Sequence, residues 1–120
     1  MPNPIVHFEV LGKDKAVLED FYRTAFEWQL RSADGNYSMV SPGAGINGGI
    51  GTSMDGEAGH ATFYVEVDNI AQTLTRIEGR GGRKISGPEQ VPNGPLIALF
   101  ADPEGHVIGL VEAGSMRTAA

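Results

Sequence analysis

The sequence predicts an α+β fold made of two tandem βαβββ modules, and three observations predict it. An alternating strand-like run followed by helical periodicity occurs twice, as Val6-His7-Phe8-Glu9-Val10 and as Phe63-Tyr64-Val65-Glu66-Val67. The copies keep their spacing: Glu9 to Glu66 is an offset of 57 residues, and the helix ends at Glu27 and Gly81 are 54 apart, a drift of about one shortened helical turn. The chain has 120 residues, 41% of them hydrophobic, which suits one domain with a modest core. Two copies of so long a period do not make a solenoid, which needs at least three. The whole chain, 1–120, therefore reads as a single domain, with module one over 1–56 and module two over 60–115.

Each element has a local reason. Module one reads as strand 4–11, helix 14–26 and strands 28–33, 36–41 and 47–53. Its helix carries Val17, Phe21 and Ala25 beside Leu18 and Tyr22 at i, i+4 spacing, with Asp14 placed to cap it. Ser32-Ala33-Asp34-Gly35-Asn36 is a hairpin turn, and Ser53 to Gly59 is the linker between modules. Module two reads as strand 61–67, helix 69–79 and strands 83–86, 95–101 and 106–112. Its helix carries Ile70, Leu74 and Ile77, starts at Asn69 with Gln72 three residues on, and stops in Gly79 to Gly82. Pro88, Pro92, Gly94 and Pro95 mark 86–95 as an irregular loop, and Ser115 to Ala120 reads as a frayed end. Asp102-Pro103-Glu104-Gly105 has the residue order of a type I turn.

Composition excludes several classes of function. Nine basic against fifteen acidic residues give a net charge of −6 with no basic stripe, so nucleic acid and anionic membrane are not expected partners. The longest apolar run, Leu96 to Ala101, is too short to span a bilayer, and the start of the chain lacks the pattern of a signal peptide, which together point to the cytoplasm. The absence of cysteine removes disulfides, thiolate nucleophiles and Cys-ligated metal sites. The glycines at 43, 45, 48, 49 and 51 are not a phosphate loop, because no Lys-Ser/Thr follows them. They suit a bent strand or a close approach to another group.

A period of two separates the strand faces. Val6, Phe8 and Val10 form one apolar face, as do Ala61, Phe63, Val65 and Val67; these should meet the helices, which then lie on the outer faces of the sheets. The opposite faces hold Ile5, His7, Glu9 and Leu11, and His60, Thr62, Tyr64 and Glu66. Such mixed faces make a poor core, and two curved mixed sheets facing each other would line a shared cleft with them, the usual form of a small-molecule site. Trp28 and Tyr37 either line that cleft or fill the core, with core favoured for Trp28.

His7 seven residues before Asp14, Asp14 seven before Phe21-Tyr22, Phe26-Glu27-Trp28 at the helix end, Val67-Asp68 with Gly81-Gly82, and the ending Phe100-Ala101-Asp102-Pro103-Glu104-Gly105-His106-Val107-Ile108-Gly109-Leu110 together resemble the vicinal oxygen chelate superfamily, the glyoxalase / bleomycin resistance protein / extradiol dioxygenase group. The match spans nearly the whole chain. Glu27 departs from it, standing where the family usually has the glycine of a left-handed helix cap. The resemblance implies one metal ligand from the first and one from the last strand of each module, here His7, Gly49 or Gly51, Thr62, and Gly109. Of these only His7 is a good ligand, since glycine offers no side chain. The expectation is therefore no cofactor and no protein metal site, with His60, Glu66 and Glu9 as the residues that could rescue a divalent ion. Many single-domain members pair as homodimers, so a dimer is expected as well.

Three functions follow. The first is a metal-independent binder of a small organic ligand through His7, Glu9, Thr62, Tyr64, Glu66 and Gly109. The second is a glyoxalase-like lyase, isomerase or dioxygenase, using a metal held partly by His7 or metal-free acid/base work by Glu9, Glu66 and Tyr64. The third is an interaction module whose cleft is filled by its own side chains. The residues leave enzyme and non-enzyme both open. Each site residue also has a plain structural role: His7 as a hydrogen-bonded inward histidine, Glu9 and Glu66 as paired or solvated carboxylates.

Overall fold

The computed structural model describes residues 2–53 and 57–117. The chain is α+β, with two helices and ten regular elements in the order β1 (Ile5–Gly12), α1 (Lys15–Phe26), β2 (Gln29–Asp34), β3 (Tyr37–Ser41), β4 (Gly48–Thr52), β5 (His60–Val67), α2 (Ile70–Glu78), β6 (Arg83–Gln90), β7 (Leu96–Ala101) and β8 (Val107–Glu112) among the described residues. That is βαβββ twice. The chain divides into two compact units, one of Val6–Phe63, the other of the residues from Tyr64 onward together with those up to Ile5. Part of the linker, residues 54–56, lies outside the described residues.

In the first unit the strands are ordered β2-β3-β4-β1, with β1 parallel to β4 and the other pairs antiparallel. In the second the order is β6-β7-β8-β5, with β5 parallel to β8. The duplication visible in the sequence is thus a duplication of strand order and sense.

Helix α1 begins where Asp14 Oδ1 accepts the Val17 N–H at 3.1 Å. It ends at Glu27, which adopts the left-handed conformation (φ 59°) while its N–H returns to the Arg23 carbonyl. The family's cap geometry survives without the glycine, at the cost of about 1–2 kcal/mol that a side chain incurs in this region. The face expectation for α1 needs correction. Val17 and Phe21 are 62% and 58% exposed and Ala25 is also exposed, so that half of the stripe points to solvent. Leu18 and Tyr22 turn inward instead. A Cβ on Gly12 would lie 2.6 Å from Leu18 Cδ1, and the Tyr22 ring stacks on Trp28 with centroids 5.3 Å apart. Phe8 completes this aromatic layer, 5.4 Å from Trp28, and its ring covers Gly48. The rotation of the helix thus places Tyr22 against Trp28.

Helix α2 matches its expectation. Asn69 Oδ1 accepts the Gln72 N–H at 2.9 Å, and Glu112 Oε1 accepts that of Ile70 at 2.9 Å, satisfying two of the donors a helix start leaves unpaired. Ile70 and Leu74 are buried with Val67, Ala98 and Leu110, and Ile77 packs against that cluster. Burying side chains of this size contributes about 1.5–3 kcal/mol each.

Two other expectations fail. The segment from Ser86 is not irregular: β6 continues to Gln90, paired with β7, with register shifts between Lys84 and Ser86 and between Ser86 and Glu89. Those shifts accommodate Gly87 (φ 88°) and the cis Gly87–Pro88 bond, and β6 ends the strand order of its unit, a place that tolerates proline. Only 91–95 forms a turn, closed by Val91 N–H to Pro95 O at 2.9 Å. Residues 115–117 are likewise not frayed. Ser115 Oγ accepts the Leu96 N–H at 2.9 Å, and the Arg117 N–H donates to Gly94 O at 2.9 Å. The rest of that end, 118–120, lies outside the described residues.

Candidate functional site

The face of β1 opposite the aromatic layer carries His7 and Glu9, two residues apart and therefore on the same side of the strand. Parallel pairing sets Glu9 against Gly49 and Leu11 against Gly51 of β4, and antiparallel pairing sets Gly49 against Met39 and Gly51 against Tyr37 of β3. Because both β4 positions on this face are glycines, nothing stops the Tyr37 side chain from lying over β4 and reaching β1. Its hydroxyl sits 2.8 Å from His7 Nε2 and donates to Glu9 Oε2 at 3.1 Å. A phenol has one proton. With that proton on the Glu9 bond, the His7 contact needs the proton on Nε2, which fixes the tautomer as Nε2–H. The hydrogen-bonded order is His7, Tyr37, Glu9.

His60, at the start of β5 and in the same compact unit, extends the array. Its Nε2 lies 3.5 Å from Glu9 Oε1, is buried, and makes no hydrogen bond among the described residues. Glu9 is 9% exposed, so its carboxylate is screened little and depends on these neighbours. Burial holds the His7 pKa below the ordinary histidine value, with the Glu9 charge pulling the other way. That direction favours the neutral imidazole at neutral pH.

The glycine positions implied by the resemblance can be tested sterically. A Cβ added at Gly49 would lie 1.9 Å from the Tyr37 hydroxyl oxygen and 2.1 Å from its ring carbon Cζ. One added at Gly51 would lie 2.7 Å from Tyr37 Cδ1, and one at Gly109 would lie 2.4 Å from Tyr64 Cδ2. A tyrosine ring thus occupies the side-chain volume at each of these glycines, so a metal-binding side chain could not be accommodated there without moving it. Among the described residues no three His, Asp or Glu side chains are disposed to hold a metal ion. The residues present do not fit the metal centre that the resemblance implies.

The other sequence candidates lie on β5 and β8. Tyr64 is 7% exposed with its ring over Gly109, its direct partner across β5 and β8. Glu66 pairs with Val111, and its N–H donates to Pro4 O at 2.9 Å. Thr62 is half-buried on β5. Of the six ligand-binding candidates, His7 and Glu9 belong to one hydrogen-bonded array. Tyr37 joins them as the residue that the sequence alone undervalued. The signal available was a glycine at alternate positions of β4, opposite an aromatic residue one strand away. Asp102 and His106 form an exposed turn of the second unit: the Asp102 carboxylate accepts the His106 and Glu104 N–H groups, and these bonds, led by that from His106, hold it below the usual carboxylate value.

Comparison with known proteins agrees with the fold. The family model "Glyoxalase/Bleomycin resistance protein/Dioxygenase superfamily" matches residues 4–110. No curated protein is significantly similar in sequence. A Streptomyces coelicolor methylmalonyl-CoA epimerase variant, in complex with 2-nitronate-propionyl-CoA, is similar in structure with a TM-score of 0.70 at 17% identity, covering 98% of this chain and 99% of that one. A methylmalonyl-CoA epimerase from Mycobacterium tuberculosis gives 0.67 at 15% identity, covering 90% and 86%. A Legionella pneumophila structure described as an NAD-dependent benzaldehyde dehydrogenase gives 0.67 at 17%, covering 92% and 97%. At such identities the likeness concerns the fold, and the different activities named show that the fold does not choose the reaction.

Proposed function

This chain belongs to the Glyoxalase/Bleomycin resistance protein/Dioxygenase superfamily, and we propose that it binds a small organic molecule on the face of module one that carries His7, Glu9 and Tyr37, without a protein-held divalent metal. The observation that carries the reading is the placement of Tyr37 over Gly49, hydrogen-bonded to both His7 and Glu9. It engages His7, the one good ligand among the four positions the family uses, with a phenol and fills the volume of a second ligand. A divalent ion needs three or four N or O donors; the other family positions, Thr62, Gly51 and Gly109, supply a hydroxyl and no side chain, and His60, Glu9 and Glu66 do not join His7 in a group of three among the described residues. The polar tips of Tyr37 and His7 beside Met39 and Leu11 suit a ligand that is mostly apolar with a few polar groups.

Calorimetric titration with zinc, nickel and manganese ions, on wild type and on His7→Ala, tests this. The reading calls for no one-to-one isotherm with any of the three. Tight stoichiometric binding that disappears in His7→Ala would overturn it.

A second reading is metal-free acid/base catalysis, favoured by the continuous path from His7 through Tyr37 to Glu9 with His60 beside the carboxylate. Here Glu9 accepts a proton from a carbon acid, and Tyr37 holds the carboxylate in place. Two of the structural neighbours are named as methylmalonyl-CoA epimerases, so solvent deuterium exchange into methylmalonyl-CoA is the first assay. Exchange lost in Glu9→Gln would favour this reading; no exchange would remove that substrate from it.

A further inference from the structure

Module one holds a groove of about 320 Å³ lined by Gln29, Arg31, Met39, Ser41 and Asn47, among others. Its formal charge is one-sided. Arg31 offers a guanidinium, Gln29 and Asn47 amide N–H groups and Ser41 a hydroxyl, while no Asp or Glu lines it. Arg31 has no carboxylate partner among the described residues. What distinguishes Arg31 from the other exposed cations is its place: among the described residues it is the one charged residue lining this groove, beside the amides of Gln29 and Asn47.

The strand register connects this groove to the array. Arg31 pairs directly with Met39, Met39 with Gly49, and Gly49 with Glu9. Directly opposed residues share a sheet face, so these four positions form one row across β2, β3, β4 and β1. With strands about 4.8 Å apart, the ends of the row are about 14 Å apart at the backbone. One end is cationic and the other is the Tyr37–Glu9 hydrogen-bonding end, with the Met39 thioether as an apolar floor between them.

Resting on the small-molecule reading above, we propose that the ligand class of this site is an organic carboxylate: its anionic group on Arg31, flanked by Gln29 and Asn47, and its apolar body across Met39 toward Tyr37. A bidentate guanidinium–carboxylate contact supplies orientation as well as attraction, and it leaves the far end of the ligand next to the Tyr37 hydroxyl, which is hydrogen-bonded to His7 and Glu9. Neutral analogues should bind more weakly, and bare anions, which cannot cover Met39, should bind more weakly as well.

The test uses the full chain labelled with nitrogen-15 and titrated with 4-phenylbutanoate, with its neutral isostere 4-phenylbutanamide, and with inorganic phosphate. The expected result is saturable shifts at the amides of residues 29–31, 39–41 and 47 with the carboxylate, and up to about 5-fold weaker binding of the amide, the upper end of what one exposed ion pair gives. Arg31→Gln, an exposed change on a terminal strand of its unit, should weaken the carboxylate by a similar factor and leave the amide unchanged, while Arg31→Lys keeps part of the effect. Equal binding of acid and amide, or indifference to Arg31→Gln, would overturn the carboxylate assignment while leaving the small-molecule reading in place. Phosphate shifting the same residues as strongly as the carboxylate would reduce the site to an ion site and overturn the organic ligand. Shifts confined to other basic residues, or none with any probe, would also overturn the assignment; the small-molecule reading itself is then decided by whether purified protein retains an organic ligand in a native mass spectrum.

Discussion

Gly49→Ala is the substitution that bears most directly on the placement of Tyr37. The new methyl would lie 1.9 Å from the Tyr37 oxygen, 2.1 Å from Cζ and 2.4 Å from Cε2, all far inside the ordinary carbon contact distance of about 3.5–4.0 Å. Tyr37 would have to withdraw by roughly 1.5 Å to restore such a contact, breaking its 2.8 Å bond to His7 and its 3.1 Å bond to Glu9. Overpacking costs about 1–3 kcal/mol, and a lost hydrogen bond to a charged group about 1.5–3 kcal/mol. A destabilisation of about 3 kcal/mol or more follows. In a Tyr37→Ala background the three nearest obstacles are gone, so the same methyl should cost less than about 0.5 kcal/mol, or stabilise slightly by restricting the unfolded chain. Urea unfolding of wild type, both single variants and the double variant completes the cycle, with midpoints compared at constant m-value. The expected coupling is about 2–3 kcal/mol. Additivity within about 0.5 kcal/mol would refute the placement of Tyr37 in the Gly49 side-chain volume.

Other outcomes follow from the same structure. Because burial lowers the His7 pKa in the folded state, the unfolded chain binds the proton more readily; the stability this residue contributes is complete above about pH 6.5 and is lost as pH falls from there through the lowered value. Urea midpoints from about pH 8 to 5 should therefore fall with pH in wild type and flatten in His7→Gln; equal slopes would contradict the buried neutral histidine. Glu27→Gly should raise stability by about 0.5–1 kcal/mol, since it relieves a side chain at φ 59° and gives back part of the gain as unfolded-state entropy; a lower thermal midpoint would argue against the left-handed cap. Asp14→Ala should cost about 1 kcal/mol through the bond to Val17 N–H, with Asp14→Asn nearly neutral; an unchanged melting curve for the alanine variant would show the cap to be idle.

Much of the fold is legible in the sequence because its signals are local. The alternation in Val6 to Val10 and Phe63 to Val67, the caps at Asp14 and Asn69 and the Gly35–Asn36 turn each act over a few residues, and all of them stand in the structure. The rotation of α1 was not legible, because Val17–Phe21 and Leu18–Tyr22 are equally good stripes, and the one that turns inward, with Tyr22 against Trp28, shows only in the fold. The extension of β6 to Gln90 was hidden by Pro88, which reads as a strand breaker unless the strand stands at the end of its sheet order and can bulge. At the site, His7 and Glu9 share a face by period alone. Their link through Tyr37 depends on two strand registers and on the absence of side chains at Gly49 and Gly51, which are long-range facts. The groove around Arg31 has the same origin: its residues come from β2, β3 and the segment before β4, and nothing in their local sequence marks them as neighbours.

Elemental analysis of protein purified without chelator, paired with native mass spectrometry of the same sample, bears most directly on a metal-independent binding site built around Tyr37. The account predicts no stoichiometric transition metal or zinc, together with a retained organic species of discrete mass that is lost in Gly49→Ala. One equivalent of a divalent metal, retained through purification and absent from His7→Ala, would contradict it.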